Sequence, residues 1–138
     1  MRTFKQKAAL ALSATAILAG SVVASSPANA ATSPAAACGS GYYQIDHHNL
    51  STAVIYLMYN GSTNCVVTWK TAYLSSATDT YAVIEKETAG GGIDIDSDQG
   101  LYHTYAGPVY AYAPGACIKW GGDAKGSTQW MSGWQHCG

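Results

Sequence analysis

The 138-residue sequence has little charge and almost no phenylalanine or arginine. Charged residues make up 11% of the chain, and its single phenylalanine and single arginine, Phe4 and Arg2, lie near its start. Residues 31–138 contain four lysines and eight acidic residues, for a net charge of −4. A protein without a basic stripe has no means of neutralising a phosphate backbone, so we expect no nucleic-acid partner. Polybasic attraction to an anionic membrane surface is excluded on the same ground.

Motifs for the common kinds of catalysis are also absent. The chain has no G-x-S-x-G elbow, no H-E-x-x-H pair and no glycine-rich loop between a strand and a helix. His47 and His48 are neighbours on a predicted strand, where consecutive side chains point to opposite faces and do not ligate one ion. We therefore expect a protein that is not an enzyme and that needs no metal and no cofactor.

The first thirty residues have the pattern of a secretory signal peptide. Three basic residues precede the uncharged run Ala8–Ala24, and the small-x-small motif Ala28-Asn29-Ala30 follows it. The run is interrupted by serine, threonine and glycine, so it is a poor permanent membrane span. We predict a signal peptide over residues 1–30 and a secreted or surface-located protein with no transmembrane anchor after cleavage.

All four cysteines, Cys38, Cys65, Cys117 and Cys137, lie beyond the predicted cleavage site. In a small exported chain they predict two disulfides, with three possible connectivities, and no paired Cys/His spacing favours zinc. In an up-down-up arrangement of the first strands, Cys38 and Cys65 lie at the same edge of the sheet. They are two strand spacings apart there, about 10 Å, which is too far for a disulfide within the plane of the sheet. The flexible stretch Gly39-Ser40-Gly41 would let Cys38 fold across the end of the sheet. We therefore favour the pairs Cys38–Cys65 and Cys117–Cys137.

Short β-rich runs separated by glycine, proline and asparagine turns follow from residue 41 onward. This spacing predicts an all-β fold, a small antiparallel β-sandwich or barrel stapled by two disulfides. We expect residues 31–40 to be a loose leader and residues 41–138 to form a single β domain. The spacing of Trp130 and Trp134 also allows one helical turn, which Gly133 weakens. The predicted strands are Tyr42–His48, Ala53–Tyr59, Cys65–Thr71, Tyr81–Glu87, Ile93–Asp96, Leu101–Tyr105, Val109–Ala113 and Ala116–Trp120, with turns at Asn60–Asn64, Gly107-Pro108, Pro114-Gly115 and Gly121-Gly122.

The stretch GGGIDIDSDQG, from Gly90 to Gly100, spaces three aspartates evenly. A calcium loop has a glycine at its sixth position and a glutamate at its twelfth, whereas counting from Asp94 places glutamine and tyrosine there. Ile93 and Ile95 alternate with Asp94 and Asp96, which is the period of a half-buried strand. We therefore predict a strand that runs into an Asp-Gln-Gly turn, with these two aspartates towards solvent and the two isoleucines inward.

Aromatic residues are plentiful, since the sequence contains ten tyrosines and four tryptophans. Aliphatic residues are few beyond residue 30, so we expect the core to be built largely from tyrosine and tryptophan. Trp120, Trp130 and Trp134 lie in or beside the segment between Cys117 and Cys137. They either belong to that core or form an exposed platform on which sugar rings or another protein would stack.

Four strings occur in order along residues 38–138. They are CGSGYYQIDHHNL, AVIYLMYNGSTNCVVTWKT, YAGPVYAYAPGACIKWGG and the terminal HCG, and the most specific block among them is Ala106–Gly122. Together they resemble the spore-associated protein A family of actinomycetes. The resemblance implies a small exported protein that is recovered with spores and has no assigned catalytic role.

Two hypotheses for function follow from these patterns. The leading one is an exported, non-enzymatic spore- or cell-surface protein whose expected partners are spore or cell-envelope components. The alternative is a small secreted module that binds polysaccharide or protein through the platform of Trp120, Trp130 and Trp134.

Overall fold

The chain folds into a β-sandwich of two four-stranded antiparallel sheets, as a computed structural model describes it for residues 31–138. The predicted signal peptide, residues 1–30, lies outside the described residues. Sheet A has the strand order β1-β2-β3-β6 and sheet B the order β5-β4-β7-β8, so the all-β prediction is confirmed as a sandwich rather than a barrel. The elements are α1 Pro34–Cys38, β1 Tyr43–Asn49, β2 Ala53–Tyr59, β3 Thr63–Lys70, β4 Thr78–Glu87, β5 Ile93–Tyr102, β6 Tyr105–Tyr112, β7 Ile118–Ala124 and β8 Trp130–Met131.

The hairpin of β2 and β3 forms the middle of sheet A. Its turn is ordered by the side chain of Asn60, whose Oδ1 accepts hydrogen bonds from the backbone N–H groups of Ser62 (3.0 Å) and Thr63 (2.8 Å). Gly61 follows with φ +101, a value that glycine adopts at little cost. The predicted Asn-Gly hairpin is confirmed, although its connection is three residues long rather than five.

The space between the sheets is filled mainly by aliphatic side chains, contrary to the expected tyrosine and tryptophan core. Ile55 and Leu57 of sheet A pack against Ile84 and Ile118 of sheet B, and Trp120 is the one fully buried ring in this cluster. The core needs few rings because the rest of the cluster is built largely from small alanine and valine side chains, which let the sheets approach closely. None of the ten tyrosines is fully buried, since six are half-buried and four are exposed.

The segment predicted as a loose leader instead contains the helix α1. Ser33 caps it, because its extended backbone (φ −155, ψ 159) lets Oγ accept the N–H of Ala36 at 3.1 Å. Pro34, at the start of the helix, has its φ already near the helical value. At the other end, Cys38 is 4% exposed and packs with Met58 and Val67 on the outer face of sheet A.

Both favoured disulfide pairings are confirmed. Cys38 is bonded to Cys65 and Cys117 to Cys137, and the described part of the chain has no free cysteine. The route differs from the expected one, since α1 lies on the outer face of sheet A instead of crossing the sheet's end. Hydrophobic contact with that face, as well as the disulfide, therefore holds α1 in place.

Three of the predicted interruptions lie within strands. The expected strands Ile93–Asp96 and Leu101–Tyr105 are not separated by a turn, because β5 runs unbroken to Tyr102 and pairs with β4 throughout. The dipeptides Gly107-Pro108 and Gly121-Gly122 lie inside β6 and β7. Trp130 begins the short strand β8 rather than a helical turn. In β5 and β7, pairing with a neighbouring strand outweighs local turn propensity. Gly107-Pro108 instead forms an irregularity within β6, where the register with β3 shifts between Val66 and Thr68.

Candidate functional site

Asp96 and Asp98 of β5 bind the neighbouring sheet, and the prediction that Ile93 and Ile95 point inward is wrong. Asp94 and Asp96 are nevertheless exposed, as predicted. Ile93 and Ile95 are 51% and 62% exposed. Asp96 Oδ2 accepts the backbone N–H of Tyr110 at 2.8 Å, and Asp98 Oδ2 accepts that of Gly107 at 2.7 Å. Both donors belong to β6, the edge strand of sheet A that faces β5. The carboxylates lie on this side because they satisfy edge N–H groups that an isoleucine would leave without a partner.

These carboxylates close one side of the sandwich. An edge strand with free N–H groups is a template for unwanted pairing, and charged side chains are a common way to block it. Asp98 Oδ1 also accepts the hydroxyl of Tyr102 at 2.6 Å, which raises the pKa of Tyr102 because the bond is lost when the tyrosine ionises. Within residues 31–138, no cluster of three or more metal-ligating side chains is placed to hold an ion. Asp96 and Asp98 are thus explained by the sheet edge.

The opposite side of β5 carries an exposed apolar surface. Alternate residues of a strand lie on the same face of the sheet, so one face of sheet B carries Ile93, Ile95 and Leu101. Leu101 is 70% exposed, the highest fraction among the large hydrophobic side chains of the described chain. We call these three side chains the β5 face.

The three tryptophans do not form a common exposed platform. Trp120 is 1% exposed, so no ligand reaches its ring. The hypothesis that Trp120 belongs to an exposed binding platform is therefore wrong. Trp130 is half-buried and lies edge-on to Trp120, with ring centroids 5.0 Å apart. Trp134 is 36% exposed, and Lys119 Nζ lies 5.1 Å from its ring centroid. Strand β7 turns Trp120 into the core because it must face the same way as Ile118.

The second side of the sandwich is closed by contacts between β1 and the C-terminal segment. His48 stacks on Trp130 with ring centroids 3.9 Å apart and planes 6° from parallel. His136 Nε2 lies 3.3 Å from Asp46 Oδ2, and both side chains are about one-third exposed, at 32% and 39%. His48 thus ties β1 to β8, and His136 ties the C-terminal segment to β1, roles that the sequence pattern did not reveal.

A cleft of about 550 Å³ opens at the end of the sandwich beside the β2–β3 turn. We call it the end cleft; its lining includes Ile45, Tyr59, Ser62, Asn64, Tyr112 and His136. These residues come from β1, β2, the β2–β3 turn, β3, β6 and the C-terminal segment. The predicted turns at Asn60-Gly61 and Pro114-Gly115 bring these elements to one end of the sandwich. The sequence did not identify the cleft because its formation requires the strand register.

Lys70 is a buried cation that sequence analysis also missed. It is 3% exposed, and its Nζ donates to the carbonyl oxygens of Tyr73 (2.9 Å), Ser76 (3.0 Å) and Tyr102 (2.8 Å). Burial lowers the pKa of Lys70, and the nearby charge of Lys125 lowers it further. Because all three of these acceptors are backbone carbonyls, the lysine orders the loop after β3 rather than presenting a reactive amine.

Comparison with known proteins gives one relative of high similarity. The chain is 40% identical over 131 residues to "Spore-associated protein A" of Streptomyces coelicolor, an alignment that covers 89% of this chain and 82% of the relative. No family model and no solved structure matches the chain. Residues 31–138 contain no helix with the length and apolar character needed to cross a membrane.

Proposed function

The chain belongs to the spore-associated protein A family, and on that basis we propose that it is an exported, non-enzymatic protein of the spore or cell surface that acts by associating with the envelope. The name of the relative, "Spore-associated protein A", supports this placement. The two disulfides fit an oxidising exterior, where such bonds form and persist. They also tie both ends of residues 38–137 to the sandwich, which suits a small domain that works outside the cell.

The observation that carries the proposal is the β5 face. Three large aliphatic side chains that are each more than half exposed are costly for a surface that meets only water. They lie on a strand that is fixed along its whole length by β4, so the face is rigid and available for contact. Across the register, Ile95 is paired with Glu85 and Leu101 with Asp79, which gives the apolar side chains a polar rim. Ser97 and Gln99 lie between Ile95 and Leu101 on this face, so its apolar side chains are at the two ends of the strand. Exposed apolar side chains rimmed by polar ones are typical of association surfaces.

Washed spores provide the test. The full-length protein is expressed in a sporulating culture, and its distribution between medium, salt wash, detergent wash and spore pellet is followed by immunoblotting. We expect retention through the salt wash and release by detergent, because apolar contacts are not screened by salt. A protein found entirely in the medium would show that surface association is wrong.

Paired variants distinguish association through the β5 face from non-specific hydrophobic adsorption. Ile95→Ser with Leu101→Ser should shift the protein from the spore pellet to the medium. Leu74→Ser is the matched control, because Leu74 is 54% exposed but lies outside the β5 face. Equal retention of the double variant and the control would assign association to another surface.

The tryptophan platform is the weaker candidate. With Trp120 buried, it retains only Trp134 and part of Trp130. The spore-surface proposal does not depend on these rings.

A further inference from the structure

The end cleft is built by local distortions of an otherwise regular sandwich. The register of β1 shifts between Gln44 and Asp46, so Ile45 is an extra residue that β2 does not pair. Such bulges turn a side chain away from the regular alternation and are frequent beside functional sites. Ile45 is 37% exposed and forms part of the cleft lining.

His136 supplies the second distortion. It has φ +52, in the left-handed region that residues other than glycine seldom occupy and that is often retained at functional sites. The residues on both sides hold it there: Gln135 exchanges two backbone hydrogen bonds of 2.9 Å with Ile118, and Cys137 is bonded to Cys117. The contact between its Nε2 and Asp46 Oδ2 fixes the imidazole from the β1 side. The ring is thus positioned from three directions.

The chemistry of the lining points to an uncharged, polyhydroxylated ligand. Among the described residues, the lining includes no lysine, arginine, aspartate or glutamate, so a phosphate or carboxylate finds no fixed counter-charge. Tyr59 and Tyr112 offer ring surface, and Tyr112 is 59% exposed. Asn64, only 6% exposed, places an amide at the cleft, and an amide both donates and accepts hydrogen bonds.

We propose that the end cleft binds a saccharide, with a sugar ring against Tyr112 and its hydroxyl groups hydrogen-bonded to Asn64 and His136. A pyranose has apolar C–H faces that pack on an aromatic ring and a rim of hydroxyls that match amide and imidazole groups. The volume of the cleft, about 550 Å³, falls in the range of small-molecule sites. Its lining exposes polar and apolar atoms in about equal measure, which suits a ligand that has both C–H and hydroxyl groups. The site is separate from the β5 face and does not rest on the proposed surface association.

Titration of the disulfide-intact protein with three probes tests the proposal. The probes are the trimer of N-acetylglucosamine, cellotriose and glycerol 3-phosphate, and binding is followed by amide chemical shifts in two-dimensional NMR. We expect at least one of the two oligosaccharides to bind, with the largest shifts at Gly61, Asn64 and Gly115, which line the cleft or its turns. Glycerol 3-phosphate should cause no saturable shift.

Two variants and a control locate the site. Tyr112→Ala should weaken saccharide binding by about tenfold, the size of a good aromatic contact. His136→Asn, which keeps a side chain that tolerates positive φ, should weaken it as well. Trp134→Ala is the control, because it removes a ring that is also exposed but does not line the cleft, and it should leave the dissociation constant unchanged.

The contrary results are equally defined. Absence of saturable shifts with both oligosaccharides, or tighter binding of glycerol 3-phosphate, would overturn the saccharide assignment. Loss of binding in Trp134→Ala with none in Tyr112→Ala would overturn the location. Spore retention of Tyr112→Ala is measured separately, so a failure of this site is distinguishable from a failure of the surface-association proposal.

Discussion

At the scale of single residues, two glycines set how closely backbones approach each other. Gly107 has φ +99, and a Cβ atom built there would lie 2.6 Å from the carbonyl oxygen of Val66. A Cβ at Gly122 would collide with Oγ1 of Thr68 from the facing sheet and with the carbonyl oxygen of Tyr81. Both positions therefore need glycine for steric reasons, inside strands where glycine normally signals a turn.

The substitution Gly122→Ala should lower the free energy of unfolding by about 1–3 kcal/mol, because the added methyl group forces the sheets apart. Urea unfolding followed by tryptophan fluorescence measures the effect.

Gly133→Ala is the matched control. No atom lies within 4 Å of a Cβ built at Gly133, so its stability should change by less than about 0.5 kcal/mol. Equal effects of the two substitutions would contradict the steric argument.

At the scale of elements, the edges of the two sheets are closed by side chains rather than by further strands. Asp96 and Asp98 of β5 bind the free N–H groups of β6, and His48 of β1 stacks on Trp130 of β8. Each sheet therefore protects an edge of the other. The β5–β6 contact is charge-assisted, which makes these hydrogen bonds stronger than neutral ones.

Asp98→Ala should destabilise the sandwich by roughly 1–3 kcal/mol, because it leaves the N–H of Gly107 and the hydroxyl of Tyr102 without their acceptor. Thermal unfolding measures the loss, and amide exchange at Gly107 should accelerate.

Asp94, the aspartate of β5 that does not bind β6, is the control for this prediction. Asp94 has a side chain that is 67% exposed, and its contact with Lys86 is 3.8 Å long. Asp94→Ala should therefore cost less than about 1 kcal/mol. A larger loss for Asp94→Ala than for Asp98→Ala would show that the edge is not closed as described.

The helix α1 depends on its disulfide. Replacing both Cys38 and Cys65 by serine removes a cross-link between residues 27 apart in sequence. On the chain-entropy argument, this should cost roughly 3.5 kcal/mol.

Amide exchange distinguishes local from global loss in this double variant. The N–H groups of Ala37 and Gly39, bonded at 3.0 Å and 3.1 Å within α1, should lose protection more than those of Ile55 and Val66 in the core. Unchanged protection of Ala37 would mean that hydrophobic contact alone holds α1.

At the scale of the whole molecule, stability should depend on alkaline pH through tyrosines that the fold keeps neutral. The pKa values of Tyr42, Tyr81 and Tyr110 are raised above the ordinary value of 10.0, chiefly by burial. The pKa of Tyr102 is raised first by its hydrogen bond to Asp98. A raised pKa means that the folded state holds the proton more tightly than the unfolded state does.

The free energy of unfolding should therefore fall as the pH rises above about 10, since the tyrosine contribution is complete below the unfolded pKa and is lost as pH passes through the folded one. Lys70 acts in the opposite direction. Its pKa lies below the ordinary value of 10.5, so the buried amine loses its proton before the unfolded one does, and the cost of burying its charge disappears as the pH rises towards 10.5. Four tyrosines against one lysine should give a net loss. Urea unfolding from about pH 10 to about pH 11.5 tests this, because the Lys70 contribution is complete near its ordinary value while the tyrosine loss continues. A stability that rose over that range would contradict it.

Much of the fold was predictable because the relevant signals are local. Strand β2 was predicted with its observed limits, since AVIYLMY is apolar on both faces and a turn follows it. The disulfide pairing that the sequence favours is the observed one, although Cys38 reaches Cys65 over the outer face of sheet A rather than across its end. The end cleft was not predicted, because its residues come from separate strands, and only the register places Tyr112 opposite Thr63 at the end of the sheet.

By itself, the sequence determined the all-β class, the family and the two disulfides, because turn residues, cysteine count and short motifs act over a few positions. Only the tertiary structure decided which face of β5 is inside, which glycines are turns and which tryptophan is buried. Alternation along a strand specifies two faces but does not say which one meets the core. For β5 the neighbouring sheet edge decided the outcome: unpaired N–H groups of β6 attract Asp96 and Asp98, and Ile93 and Ile95 are left at the surface.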